Sequence, residues 1–392
     1  MKNKLIVGLF GIALESVNFG VTALAFTQIK MLQRLEEELS CQIEYCVFSD
    51  DTQAAVERVK ELLCVQNLKV KYIVRIKTGI SGLKKLSNDI KECDVVIDLT
   101  YGDSFSDIYG LKYFFLYSLP KIISIQNNKC LIIGPQTIGP FYNKIVEKAA
   151  KYLLQKAKYI IARDEMSLEC ARQLTCNKDI TLTTDLAMNL PYEKKYTESI
   201  ISGSFNVGLN VSLLMWQKDS GNSNLKVQLS YQELIYSLLD KLKKSKFSVH
   251  LITHVYDKKT YTEYTLAKEL SQKYDNTVLA PQFIDPIDSK SYLANLDCFI
   301  GSRMHATIGA FSAGVPVIPI SYSRKFEGLY GTLGYRHCID CSKETLLSAL
   351  EKIMYKLETI DTLEQDRKVG LEKANEMIEV YYHLLRDTIV KI

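Results

Sequence analysis

The chain has 392 residues, with 49 basic and 45 acidic side chains, a formal net charge of +4, 47% hydrophobic residues and eight prolines. That length exceeds one ordinary hydrophobic core, so two domains are expected, and the composition is that of an ordered globular protein rather than a disordered or fibrous one. A charge balance this even, with no basic stripe interleaved with aromatics, excludes a nucleic-acid surface.

At the amino end, Lys2 and Lys4 precede an apolar run over 5–14, and Ala23-Leu24-Ala25 has the spacing of a signal cleavage site. Glu15 and Asn18 interrupt the run, and Gly8 and Gly11 weaken a helix, so the reading is a buried first strand that enters a glycine-bearing turn. Strand-like runs follow at 43–48, 70–76, 95–99, 130–133, 159–162 and 180–183. Helical periods lie between them at 22–39, 53–63, 143–156 and 165–174. Strands that alternate with helices of this length imply βαβ units and a parallel sheet, and runs that are apolar throughout fit strands covered on both faces. Beyond Pro191 the segment 192–206 turns polar and reads as a linker. A second α/β unit begins at 207–212 and continues through 231–242, 249–253, 260–273 and 277–279, and helices at 343–357 and 363–389 close the chain. The expected fold class is α/β: two doubly wound, Rossmann-like domains facing across a cleft, spanning 1–191 and 207–392. No segment offers the ~18 uninterrupted apolar residues of a membrane span. The ten cysteines are scattered, most within apolar runs, which fits a reducing cytoplasm better than a disulfide framework. Cys338 and Cys341 make one CxxC without a second pair, so no metal is expected. The glycines after the first strand do not make G-x-G-x-x-G, so no nucleotide cofactor is expected either.

The richest stretch is CFIGSRMHATIGAFSAGVPVIPISYS, residues 298–323. It reads as strand, turn, helix and strand, which puts Arg303 and His305 at a strand's carboxyl end and a helix's amino end. In an open α/β sheet that edge carries the ligand, and the helix's unpaired N–H groups favour an anion. A guanidinium beside an imidazole suits a phosphate or carboxylate ligand with proton transfer. The plainer readings are a capping or salt-bridge arginine and a hydrogen-bonded structural histidine. Arg163 also follows a strand, but Asp164 and Glu165 beside it equally describe a paired arginine that opens a helix. Lys325 is either a further cation at this edge or a solvated lysine. In VHLITHV, His254 lies at the strand's carboxyl end and could reach the ligand, whereas His250 reads as structural. Asp103 is either a contact to a sugar hydroxyl or a turn residue, and Gln136 can both donate to and accept from hydroxyls.

Taken in order, Asn18-Phe19-Gly20, Gly102-Asp103-Ser104, Ile133-Gly134-Pro135-Gln136, Gly139-Pro140, Ala162-Arg163-Asp164-Glu165, Thr184-Asp185-Leu186-Ala187, Ser302-Arg303-Met304-His305-Ala306 and Gly314-Val315-Pro316-Val317 resemble the polysaccharide pyruvyl transferase family. The resemblance implies a fold similar to the GT-B glycosyltransferases. It also implies transfer of the enolpyruvyl-derived group of phosphoenolpyruvate onto two hydroxyls of a sugar, giving a cyclic pyruvate ketal and phosphate, with phosphoenolpyruvate as co-substrate and no other cofactor. Carried over, the donor-binding set is Arg163, Arg303, Met304, His305, Lys325 and His254, with His305, Arg303 and Arg163 catalytic. The acceptor set is Asn18, Gly20, Asp103, Ser104 and Gln136. The family's Asn-x-Gly-Asp has Val21 in place of the acid here, which puts the acceptor in question. The expected partners are phosphoenolpyruvate and a saccharide of exopolysaccharide or cell-envelope assembly, free or lipid-linked. The expected place is the cytoplasm, compatible with peripheral association at the inner face of a membrane, and the oligomeric state stays open. Alternatives on the same architecture are a nucleotide-sugar glycosyltransferase and a non-catalytic carbohydrate-binding relative.

Overall fold

The computed structural model of the chain describes every residue except Met1, 73–78, 177, 219–226, 244–246 and 257–259. It divides into two compact units. The first comprises Met1–Ser16, Val21–Leu186 and Asn375–Ile392, and the second Val17–Gly20 and Ala187–Ala374.

The first unit runs β1 (Lys4–Phe10), α1 (Phe19–Leu39), β2 (Gln42–Ser49), α2 (Gln53–Leu63), β3 (Leu68–Tyr72), α3 (Gly79–Glu92), β4 (Val95–Asp98), α4 (Leu111–Gln126), β5 (Cys130–Gln136), α5 (Lys144–Lys156), β6 (Tyr159–Ala162), α6 (Glu165–Thr175) and β7 (Thr181–Leu182). Its described strands form one parallel sheet in the order β3-β2-β1-β4-β5-β6-β7, so the connections reverse direction between β1 and β4. The sequence causes are local. In α5, Val146, Ala150, Leu153 and Leu154 fall on one helical face and are buried, and Asn143 caps the helix by accepting from Ile145 N and Val146 N. Burying each such leucine contributes roughly 1.5–3 kcal/mol. At the reversal point Gly11 has φ +64, and a Cβ there would lie 2.2 Å from Thr100 N. Only glycine lets the two loops cross so closely.

The second unit runs β8 (Phe205–Asn210), α7 (Leu213–Lys218), α8 (Tyr231–Lys243), β9 (Phe247–Leu251), α9 (Glu263–Lys273), β10 (Thr277–Leu279), α10 (Pro286–Leu293), β11 (Cys298–Gly301), α11 (Met304–Ser312), β12 (Val317–Ser321), α12 (Arg324–Thr332), β13 (Ile339–Asp340), α13 (Leu346–Glu358) and α14 (Ile360–Val390). Its sheet is again parallel, in the order β10-β9-β8-β11-β12-β13, with the reversal between β8 and β11. Both units are therefore doubly wound, as the alternating pattern implied.

Several details depart from the sequence reading. The stretch 192–206 is held within the second unit: Lys290 Nζ donates to Leu190 O at 2.8 Å, Tyr192 Oη to Ala313 O at 3.2 Å, and Tyr196 Oη to Asp288 at 2.6 Å. The carboxyl-terminal residues, expected in the second domain, belong from Asn375 onward to the first, where Tyr381 Oη donates to Gln28 Oε1 at 2.8 Å and Arg34 stacks on the Tyr382 ring. Helix α3, amphipathic with Gly82, Leu86 and Ile90 buried on one face, adds to the helical periods named above, and α4 carries no clear helical signal. α4 is rich in aromatic and β-branched residues and contains Pro120, whose missing N–H breaks the usual ladder. Part of the strand expected at 70–76 lies outside the described residues. All ten cysteines are free thiols, and burial pushes those of Cys338 and Cys341 up to about 12. Among the described residues no helix is long and apolar enough to cross a membrane.

Candidate active site

In the second unit the carboxyl ends of β8, β9 and β11 are tied together by one side chain. Asn210 Nδ2 donates to Ile252 O at 3.0 Å beyond β9, and its Oδ1 accepts from Arg303 N at 3.0 Å beyond β11. Tyr231 Oη, which accepts from Ser212 N at 3.1 Å, lies 2.7 Å from Ser302 Oγ and locks the same two loops. The reversal point is thus a rigid frame, and Arg303 and His305 stand on it.

Arg303 is half-buried and ion-paired. Its Nε donates to Glu263 Oε1 at 2.7 Å, and Nη2 lies 2.5 Å from the same oxygen. Glu263 itself is buried at the first position of α9, where the helix end favours an acid, and the same oxygen accepts from Leu213 N at 3.1 Å. Burial depresses the guanidinium's pKa, but the adjacent carboxylate outweighs it and the net shift is upward. Met304 is buried, its side chain 9% exposed.

The two histidines of VHLITHV have opposite surroundings. His250 is fully buried and satisfied at both nitrogens, Nδ1 by Tyr292 Oη at 2.7 Å and Nε2 by Asn206 Oδ1 at 3.0 Å. His254 is 4% exposed, yet neither ring nitrogen has a hydrogen-bond partner among the described residues. Burial first, then the charges of His305 and Arg303, push its pKa down to about 3, so it is a neutral imidazole beside them.

The segment Asn18-Phe19-Gly20, expected among acceptor contacts of the amino domain, packs inside the second unit instead. Tyr256 N donates to Val17 O at 2.8 Å, Asn18 bridges to Val255, and the Phe19 ring meets His254 edge-on at 5.6 Å. A Cβ on Gly20 would sit 2.0 Å from His305 Nδ1, so the glycine makes room for the imidazole. Asn18 Oδ1 accepts from Gly20 N at 3.1 Å and shapes the start of α1. Both residues therefore lie beside His305 in the second unit rather than in the amino domain, where the sequence reading placed them.

The helix starts at this edge also differ. Thr262, Asp285 and Thr345 cap α9, α10 and α13 with their side chains, whereas α11 and α12, which follow the adjacent strands β11 and β12, have no side-chain cap. Arg324 and Lys325 occupy the first turn of α12 and are half-buried. Two uncapped helix ends and a set of cations make this edge a place for an anion.

In the first unit, Arg163 follows β6 as expected but is only 1% exposed, and Nη1 donates to Asp185 Oδ2 at 2.7 Å. Asp164 caps α6 through Ser167 N at 2.7 Å. The structure therefore favours the paired-arginine reading, and Arg163 lies in a different unit from Arg303 and His305. Gln136 is fully buried and donates to Asp98 O at 2.8 Å, so it braces strand ends rather than reaching a sugar. Asp103 is accessible, accepting from Tyr109 Oη at 2.9 Å and Ser104 Oγ at 3.4 Å. Its loop is strained: Thr100 and Tyr101 have φ of 40° and 54°. A buried constellation holds it. Asp98 Oδ1 accepts from Thr100 N at 2.8 Å and Thr100 Oγ1 at 2.5 Å, and Lys121 Nζ lies 2.7 Å from Thr100 Oγ1 and 3.0 Å from Asp98. Sequence reasoning missed Glu263, Asn210, Arg324 and Lys121. None stands in a recognisable motif, and only the Thr-Glu start of α9 gave a local cue.

Residues 38–324 match the family model for polysaccharide pyruvyl transferase. The chain belongs to the polysaccharide pyruvyl transferase family. The matched span contains the Gly-Asp-Ser, Arg-Asp and Arg-Met-His segments, while Asn18-Phe19-Gly20 precedes it. The chain is 22% identical over 268 residues to the amylovoran biosynthesis protein AmsJ of Erwinia amylovora, covering 64% of this chain and 62% of that relative. The fold resembles UDP-GlcNAc 2-epimerase from Neisseria meningitidis bound to UDP-GlcNAc, with a TM-score of 0.64 at 11% identity over 99% of this chain and all of that one. It also resembles Anabaena Alr3699/HepE in complex with UDP-glucose, with a TM-score of 0.60 at 11% identity and the same coverage. These likenesses establish a fold of the GT-B type for this pyruvyl transferase family member.

Proposed function

We propose that this chain moves the enolpyruvyl-derived group of phosphoenolpyruvate onto two hydroxyls of a sugar in a polysaccharide precursor, closing a cyclic pyruvate ketal and releasing phosphate. The observation that carries the reading is the pair of uncapped helix starts after β11 and β12, flanked by Arg303, His305, Arg324 and Lys325. Phosphoenolpyruvate bears a carboxylate and a phosphate a few ångströms apart, and two adjacent helix ends with fixed cations match two anionic groups.

In the proposed sequence, His305 protonates the donor's methylene carbon, and the first sugar hydroxyl adds to the cationic carbon and returns its proton to the imidazole. The second hydroxyl then displaces phosphate, which departs with the remaining proton. Arg303, held by Glu263, stabilises the donor's negative charge. His254, neutral beside His305, accepts or donates a hydrogen bond without adding a charge. Asp103 and Ser104 are proposed acceptor contacts. Arg163 is not carried forward as a donor ligand, because Asp185 already balances it in a buried setting.

The test has two arms. Thermal shift should register phosphoenolpyruvate and not UDP-sugars, and His305→Gln should retain that shift. Incubation with phosphoenolpyruvate and a panel of free and lipid-linked oligosaccharides should release phosphate and add a pyruvate-sized mass to one acceptor. A shift with UDP-sugars alone would favour glycosyl transfer. Donor binding with no mass gain on any acceptor would favour a non-catalytic carbohydrate-binding protein.

A further inference from the structure

The first unit exposes an apolar surface that its own fold leaves uncovered. Ile108, Tyr109, Leu111 and Tyr113 are each close to half exposed, and Tyr142 and Ile145 are exposed by 80% and 65%. The two groups are neighbours for a topological reason. β4 and β5 are adjacent and parallel, so the helices that follow them, α4 and α5, start at the same carboxyl edge. Asp107 joins the two starts, its Oδ2 accepting from Tyr142 N at 2.8 Å and Asn143 N at 2.7 Å. Beneath them, Phe105, Phe114 and Phe141 form a buried or half-buried aromatic base, with ring centroids 5.5 to 6.1 Å apart. The exposed rings thus stand on a rigid platform. A contiguous apolar patch on a rigid platform marks an interaction surface.

The charges around the patch decide what covers it. Lys112, Lys144, Lys148 and Lys151 are exposed at its rim, α4 carries no acid, and Glu147 is the single acid of α5. A two-fold contact with a second copy would set these lysines against each other, whereas an anionic lipid surface pairs with them. Tyrosines with a polar tip and an apolar body, fringed by lysines, match the headgroup layer of a bilayer. We infer that the starts of α4 and α5 form a docking surface for anionic phospholipid membranes. The surface lies at the edge that also carries Asp103, to which Tyr109 Oη donates. A chain docked this way holds the Asp103 loop at the lipid headgroups, where a lipid-linked saccharide would be presented. The docking itself depends on nothing in the pyruvyl chemistry.

The experiment is co-sedimentation of the full chain with vesicles of pure phosphatidylcholine or of phosphatidylcholine with about a third phosphatidylglycerol. The mixed vesicles should take the protein down and the neutral ones should not. Lys112→Glu/Lys144→Glu/Lys148→Glu and, separately, Ile108→Ser/Leu111→Ser/Ile145→Ser should each weaken partitioning at least about tenfold. Both should keep the parent's circular dichroism and melting. If a triple variant fails to fold, the single Tyr142→Glu on the most exposed ring replaces it. No binding to mixed vesicles, equal binding to neutral ones, or unchanged binding by the variants would overturn the proposal. So would a dimer in light scattering that the apolar variant splits.

Discussion

Gly20→Ala tests the packing of the candidate site without removing a polar group. Gly20 is the second residue of a 21-residue helix, and its φ is not in the left-handed region. On propensity alone alanine there would stabilise the chain by roughly 0.5–1 kcal/mol. The new methyl, however, starts 2.0 Å from His305 Nδ1 and needs an ordinary contact near 3.4 Å, so the imidazole must retreat by about 1.4 Å. Overpacking of this kind costs about 1–3 kcal/mol, leaving a net destabilisation of roughly 1–2 kcal/mol. A displacement above 1 Å of a reacting group lowers turnover about a hundredfold. The decisive measurement is a double-mutant cycle by chemical denaturation. In a His305→Ala background the obstacle is gone, so Gly20→Ala should become neutral or stabilising by up to about 1 kcal/mol. If the substitution destabilises equally in both backgrounds, the glycine is not there for the imidazole and the reasoning fails.

Glu263→Gln keeps the shape of the Arg303 contact but removes its charge. Leaving a largely buried guanidinium unpaired should cost about 2–4 kcal/mol of stability. It should also tighten binding of phosphoenolpyruvate in a thermal shift measured relative to the variant's own melting point, and weaker binding would mean that Glu263 positions Arg303 more than it competes for it. Stability should also fall with acid in a particular window. His254 and His250 are depressed by burial to about 3 and about 4, against an ordinary histidine near 6.5. Below pH 6.5 the unfolded chain takes up protons that the folded one excludes. The second unit should therefore lose roughly 2–3 kcal/mol per pH unit between about 6 and 4, and a His250→Gln/His254→Gln variant should show a flatter dependence. An unchanged slope in that variant would sink this attribution.

Much of the fold was legible because its causes are local. Largely apolar runs at 5–10, 43–48 and 130–133 predict covered parallel strands, and the structure has β1, β2 and β5 there. The elements missed have mixed signals, such as α4 with its proline and aromatic run. The site was half legible. Arg303 and His305 stand at the strand end and helix start that the pattern around Gly301 dictates. What no pattern showed is the company they keep. Glu263 is 40 residues from Arg303 and Asn210 is 93 residues away, and the Asn18-Phe19-Gly20 segment reaches His254 and His305 across more than half the chain. Long-range pairings follow from topology, which a single strand or helix does not encode. The Val21 departure stays unexplained by any contact in the structure.

A carboxylate already holds Arg303, an objection to its role as an anion ligand. The geometry argues otherwise. Glu263 engages the guanidinium from its Nε and Nη2 side through a single oxygen, and that oxygen is fixed in turn by Leu213 N. A guanidinium is a planar fork with five donors, so one occupied edge sets the direction of the rest. Without a fixed partner, a long arginine side chain would lose rotamer entropy when it met its ligand, up to about 2 kcal/mol. The carboxylate meets that cost in the folded state, at the expense of part of the positive charge. The helix starts of α11 and α12, with Arg324 and Lys325, restore positive potential at the same edge. Arg163 is likewise paired on one side, Nη1 to Asp185, and its Nη2 has no partner among the described residues, but that edge is sealed at 1% exposure, whereas Arg303 keeps 21% of its side chain accessible. An acid partner alone therefore does not separate a structural arginine from a ligand-binding one. The separation comes from whether the edge left unpaired is accessible to a ligand from solvent.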